Sequence, residues 1–168
     1  MRFVPLLALF AASCGYHVSG HADLMPKTIH TVCIPAFGNT TTRYKLTDRL
    51  PEAISREFIS RTRYKIVSDP NTADAVLRGT IMNYWANQTT VDNATGRATG
   101  ADMHVILSVT FVERATGKTL YTNPNFESRE RYQVSTDPIA YFEESDSGLN
   151  RVAQQVARQV VTAILEKF

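Results

Sequence analysis

Residues 102–111 read Asp-Met-His-Val-Ile-Leu-Ser-Val-Thr-Phe. Met103, Val105, Leu107, Val109 and Phe111 alternate with Asp102, His104, Ile106, Ser108 and Thr110, and Ile106 alone breaks the polar side. A period of two sustained over ten residues marks a strand with one buried and one solvated face. Upstream, Ala73–Ala86 repeats the pattern, with Ala75, Leu77, Gly79 and Ile81 on one side and Val76, Arg78, Thr80, Met82 and Tyr84 on the other. The Thr-, Asn- and Gly-rich stretch Asn87–Gly100 between them is a solvent loop or the tip of a long hairpin. Downstream, Arg114-Ala115-Thr116-Gly117-Lys118 turns the chain into a short strand, Thr119–Thr122, through its glycine. The same Arg-Ala-Thr-Gly occurs at 97–100, as repeated turn chemistry with unmatched flanks. Phe126–Val134 carries Glu127, Arg129, Glu130 and Arg131, charges that suit an edge strand.

Helical periodicity brackets these strands. Leu46, Leu50, Ile54 and Phe58 recur every four residues, with Ala53 beside them, as one face of an amphipathic helix. With Asp48 as N-cap, Pro51 falls at the third helical position, where its missing N–H costs no intrahelical bond. Leu149, Val152, Ala153, Val156, Val160, Ala163 and Ile164 define a second, longer helix, capped at Ser145 or Asp146. Before the first helix, Thr28–Ile34 reads as a strand ended by Pro35, and Phe37–Thr42 as a turn or loop. After it, Tyr64–Val67 is a short strand ended by Ser68-Asp69-Pro70-Asn71. The expected fold is α+β: a single-domain sandwich with a mostly antiparallel or mixed sheet of four to five strands and both helices on one face.

The 168 residues, 43% hydrophobic and 20% charged, suffice for one domain with a sizeable core, and 8 Gly, 7 Pro and 2 Cys exclude collagen-like, disordered and disulfide-stapled classes. A formal charge of +2 is too small to imply a nucleic-acid partner. No apolar run reaches the roughly 20 residues of a membrane-spanning helix. The first residues are different in kind. Arg2, the apolar Phe3–Phe10 and Ala11-Ala12-Ser13 form a short secretory leader with a small-residue cleavage site. Cys14 directly follows, which resembles the lipobox of bacterial lipoproteins, although Ala11 stands where lipoboxes mostly carry Leu. That resemblance implies cleavage after Ser13 and acylation of Cys14, and Gly15 in place of Asp implies sorting to the outer membrane. The chain thus divides into a leader (1–13), a lipidated N-terminus with a short tether (14–27) and one α+β domain (28–168). Cys33 is then left as a free thiol in an apolar run, the alternative being a Cys14–Cys33 disulfide.

Catalytic machinery has no signature here. G-x-S-x-G, Walker, H-E-x-x-H and G-x-G-x-x-G patterns are missing from the sequence. Asp48, Glu52, Glu57, Asp69 and Asp74 fall on helix faces, caps and turns. His17 and His21 are four apart but lack a third convergent ligand, so no metal site is expected. Tyr84 and Trp85 at a strand end could stack on a base or a sugar, or fill a sheet–helix junction.

Cys14-Gly15-Tyr16-His17 with Gly20, then Ile34-Pro35-Ala36-Phe37-Gly38-Asn39-Thr40, then Ala73-Asp74-Ala75-Val76-Leu77-Arg78-Gly79-Thr80-Ile81 and a terminal amphipathic helix together resemble the lipopolysaccharide-assembly lipoprotein family LptE, also called RlpB. The resemblance spans essentially the whole mature chain. It implies a non-enzymatic protein without a cofactor, tethered to the outer membrane at its periplasmic face. Such a protein plugs the LptD β-barrel and helps it deliver lipopolysaccharide to the cell surface. It further implies glycolipid binding through basic side chains, for which Arg97 and Lys118, both in inter-strand turns, are the candidates; a guanidinium suits bidentate contact with phosphate. Two alternatives are a lipoprotein activating a peptidoglycan synthase, which usually needs a longer tether, and a periplasmic carbohydrate hydrolase using Asp69 or Asp74.

Overall fold

The alternation at 102–111 becomes the central long strand β5 (Ala98–Glu113), paired antiparallel with β4 (Ala75–Val91) and β6 (Thr119–Gln133). These ranges come from a computed structural model that describes residues 26, 28–94, 96, 98–133 and 138–168, with backbone alone for 98, 132–133 and 138–146. Met103, Val105, Leu107, Val109 and Phe111 are all buried, as the period of two requires. On the far side of β4 lies β1 (Thr31–Cys33), and beyond it β3 (Lys65–Val67), both parallel, giving the order β3-β1-β4-β5-β6. A sixth, two-residue strand β2 (Gly38–Asn39) pairs with Thr80 and Ile81 of β4. Helix α1 (Leu46–Arg61) is the crossover that parallel β1 and β3 need. Helix α2 (Pro138–Leu165) packs against α1 and β6. Both helices bury their apolar stripes in one core with the inner residues of β4 and β5. Among the described residues, the opposite sheet face is open except for a small cluster of Cys33, Ala73, Val76 and Val67.

Pro51 is placed differently from the expectation. Helix α1 begins at Leu46, with Lys45 at its N-cap, so Asp48 lies in the first turn and Pro51 in the interior. The Pro51 nitrogen would otherwise have bonded to the Thr47 carbonyl, four residues back. That freed carbonyl instead accepts the Phe37 N–H at 3.2 Å. The proline therefore leaves an acceptor that ties the segment after β1 to the helix.

The Phe37–Thr42 stretch is more ordered than a plain turn. Gly38 and Asn39 extend the sheet, and the Asn39 side chain organises residues 41–43: its Oδ1 accepts the Thr41 N–H at 2.7 Å, and its Nδ2 donates to the Arg43 carbonyl at 3.0 Å. Phe37 is buried over Gly79, where a Cβ would come within 2.3 Å of the ring. The motifs at 34–40 and 73–81 are thus two halves of one packing unit. Asp74 staples β1 to β4 by accepting the N–H groups of His30 and Thr31, each at 2.9 Å.

Long strands are interrupted where the sequence pattern is too coarse to show it. Ile81 faces Leu107 but Asn83 faces Ile106, so Met82 is an extra residue on β4. This bulge reverses the facing beyond it: Tyr84 turns inward, opposite Val105, and packs on the core, not on the open side where unbroken alternation put it. The Asn87–Gly100 stretch resolves as a hairpin, because β4 continues to Val91 and β5 starts at Ala98. Thr119–Thr122 and, of the Phe126–Val134 stretch, Phe126–Gln133 are parts of one strand, β6, bulged between Asn123 and Phe126, where Pro124 sits, and Val134 lies outside the described residues. Helix α2 starts at Pro138, a favourable first helical residue, so Ser145 and Asp146 lie inside it and do not cap it.

Candidate functional site

With one sheet face spent on the core, chemistry concentrates on the open face, where the three long strands set their outward residues in rows. Trp85, His104 and Arg129 form one row, and Asn87, Asp102 and Arg131 the next. The Met82 bulge brings Trp85 to this face. Its indole stacks on the His104 imidazole with centroids 4.6 Å apart and planes 7° from parallel. His104 Nδ1 lies 3.4 Å from Glu127 Oε1. One register step along, the Asp102 carboxylate accepts from Arg129 and from Arg131 Nε at 2.7 Å. Asp102 is 3% exposed, whereas the two arginine side chains are 56% and 71% exposed.

Two guanidiniums on one carboxylate set the electrostatics. Hydrogen bonds from Arg131 first, and from Arg129, hold the Asp102 carboxyl far below the usual carboxylate range, and the same contact raises Arg131. Asp102 stays ionised and neutralises only one of its partners. Each guanidinium carries five N–H donors, so the exposed donors form a positive, fork-shaped rim beside an aromatic pair. Such a surface can take an oxyanion or lie along a sugar ring. Among the described residues it holds no nucleophile next to a base. The sequence signal for it is Glu127, Arg129 and Arg131 at spacing two, but only the cross-strand register puts both arginines on Asp102.

The other candidates stand apart. Lys118 is exposed in the β5–β6 turn, where its carbonyl accepts the Glu113 N–H at 2.9 Å. Arg97 lies outside the described residues. Cys14, His17 and His21 also lie outside the described residues. Asp69 Oδ1 accepts the Asn71 N–H at 2.8 Å as a turn residue. The Asp74 carboxyl is lowered by the His30 amide and by the Thr31 hydroxyl and amide, the reverse of what a general acid needs. Cys33 is a buried free thiol 3.5 Å from the Ser68 carbonyl oxygen, its pKa raised by burial first and then by Asp69.

Among the described residues no helix is long and apolar enough to cross a membrane. Similar folds occur in solved structures. A lipoprotein from Caulobacter crescentus is 15% identical with a TM-score of 0.54, over 83% of this chain and 88% of that one. A protein from Xanthomonas campestris is 11% identical with a TM-score of 0.58, over 86% and 89%. The PelC dodecamer from Paraburkholderia phytofirmans is 14% identical with a TM-score of 0.52, over 81% and 89%. At these identities the likeness is one of fold. No curated protein sequence matches the chain. The family LptE, described as lipopolysaccharide-assembly, matches residues 29–164, from the residue before His30 in the β1 approach to the last turn of α2; since that is well over half of the 168 residues, the chain belongs to the LptE family.

Proposed function

We propose that this chain is an outer-membrane lipoprotein, acylated on Cys14 after loss of residues 1–13, whose α+β body sits as a plug in the LptD β-barrel and assists lipopolysaccharide delivery to the cell surface. The family match over residues 29–164 carries this reading. The open sheet face supports it, because threonines, a serine, a histidine and paired Asp and Arg side chains suit the polar wall of a large barrel lumen. The role is non-catalytic. Arg97 and Lys118 are the basic contacts for glycolipid phosphate, and the Arg129–Arg131 rim, on the open face of the sheet, is a third. The test is purification of the tagged, full-length chain from membranes in detergent. A much larger, heat-modifiable barrel should accompany it in stoichiometric amount. Recovery of the chain alone, or with an inner-membrane peptidoglycan synthase, overturns the reading.

A further inference from the structure

The two edges of the sheet are unlike. β6 carries Glu127, Arg129, Glu130 and Arg131, with Pro124 at its bulge, features that discourage another strand from adding. On the other side, β4 pairs with β1 at Ala75 and Val76 and with β2 at Thr80 and Ile81; beyond Met82 no strand among the described residues adjoins it there. That stretch reads Asn83-Tyr84-Trp85-Ala86-Asn87-Gln88-Thr89-Thr90-Val91, without a charge, a proline or a glycine. Among the described residues, the pairing on this side ends just before it. The Thr40 N–H donates to the Ile81 carbonyl and its hydroxyl to that of Met82, and Asn83 Oδ1 takes the Tyr84 N–H at 2.8 Å. An amide taken by its neighbour's side chain points away from β5. Successive residues alternate, so the amides of Ala86 and Gln88 face the same edge, the pairing with β5 being regular from Asn83 to Gln88. Apolar side chains stand at both ends of this stretch: Met82 and Val91, each 48% exposed. Two of the four large hydrophobic side chains exposed among the described residues therefore bound this stretch of one strand.

We propose that this edge of β4 accepts an extended, uncharged strand of alternating apolar and polar residues from a partner protein, by β-augmentation. Resting on the function proposed above, that strand belongs to the membrane β-barrel before the barrel closes. A transmembrane strand spans about 9–11 residues, the length of Met82–Val91. It alternates apolar and polar side chains and so presents no charge row to a neutral edge. A second folded copy fits less well. An edge ~30 Å long and ~10 Å thick offers ~300 Å² per partner, well under the ~800 Å² that each side of a stable protein pair buries.

The test uses the purified full chain with a synthetic ten-residue peptide alternating valine or tyrosine with threonine or asparagine, read by amide hydrogen exchange. Exchange of the Ala86 and Gln88 amides should slow at least tenfold on peptide addition, with β6 unchanged. Ala86→Pro, which removes one outward amide, and Ala86→Lys, which leaves the backbone intact and adds a charge, should each abolish the protection; the lysine variant should melt as the parent does. Unchanged exchange, protection along β6, protection surviving in Ala86→Lys, or a dimer in sedimentation whose interface protects these amides would overturn the inference. The two proposals fail separately. A barrel that co-purifies while the peptide protects nothing leaves the assembly role and removes the edge, whereas peptide protection in a chain that never recovers a barrel does the opposite.

Discussion

Substituting Gly79→Ala tests the packing that joins the two motif halves. A methyl at this position would fall 2.3–2.6 Å from three carbons of the Phe37 ring. Carbon atoms in favourable contact sit about 3.5–4.0 Å apart, so the ring would have to retreat by more than ~1 Å. It has little room to do so, being 2% exposed and anchored through its own N–H to the Thr47 carbonyl. Gly79 has no positive φ, so backbone strain adds nothing and the whole cost is steric. Overpacking of a filled core costs roughly 1–3 kcal/mol, and a displacement this large belongs at about 2–3. For a chain of this size each kcal/mol lowers Tm by about 2–4 °C, so Gly79→Ala should melt ~4–12 °C below the parent, by circular dichroism and by the urea midpoint. In a Phe37→Leu background the smaller side chain leaves space, and the same substitution should cost less than ~0.5 kcal/mol. There the alanine also narrows the unfolded ensemble, which favours folding by about 0.4–1 kcal/mol. A parental Tm for Gly79→Ala, or an equal cost in both backgrounds, would refute the contact and with it the account of why the motifs at 34–40 and 73–81 accompany each other.

Three further outcomes can be measured, two set by the structure and one by the proposed anchor. Leu107→Asp or Val109→Asp places a carboxylate among fully buried side chains and should unfold the domain; a native melting curve for either would refute the facing of β5. Asp102 has a folded-state pKa depressed by Arg131 and Arg129, so its stabilisation is complete above the unfolded value near pH 4 and is lost as the pH falls through the lower folded value. Asp102→Asn should therefore lower Tm at pH 7 and flatten the decline of Tm between pH 5 and 2; parallel curves for the two proteins would refute the pairing. For Cys14, mass spectrometry of the membrane-extracted chain should give an acylated N-terminal peptide, and Cys14→Ala should retain residues 1–13; an unmodified sulfur in a mature chain would count against the anchor.

What the sequence made legible is what one strand or one helix decides alone. The facing of residues 103–111 and the stripes of both helices depend on local periodicity, and the buried side chains agree with it. Features that depend on a neighbouring strand were not legible. Tyr84 and Trp85 exchange faces because of one extra residue at Met82, and no propensity marks that residue as a bulge. The start of α1 escaped for a related reason: Pro51 argued for a later beginning, and only Phe37, fourteen residues upstream, supplies the donor that satisfies Thr47. The candidate site depends most on register. Asp102 and its two arginines are 27 and 29 residues apart in sequence, and a pattern of alternating charges on a presumed edge strand does not say which carboxylate it meets.

These failures share a direction. Along β4 as far as Ile81 and along residues 103–111 of β5, the inner face of the sheet is fixed by burial, and a one-residue slip there would expose a row of valines and leucines, so sequence and structure agree on it. The outer face and the edges are under no such constraint from folding. Asp102 is buried among its partners on that outer face by two arginines that remain largely exposed, an arrangement the hydrophobic core does not require. Likewise β6 carries charges along its edge, whereas the nine residues of β4 beyond Met82 carry none, and no strand among the described residues adjoins them on that side. If avoidance of strand addition were the only demand on this sheet, both edges would be protected. The asymmetry implies that one edge is kept open for use, and that recognition by this protein is to be sought on the half of the sheet beyond the Met82 bulge.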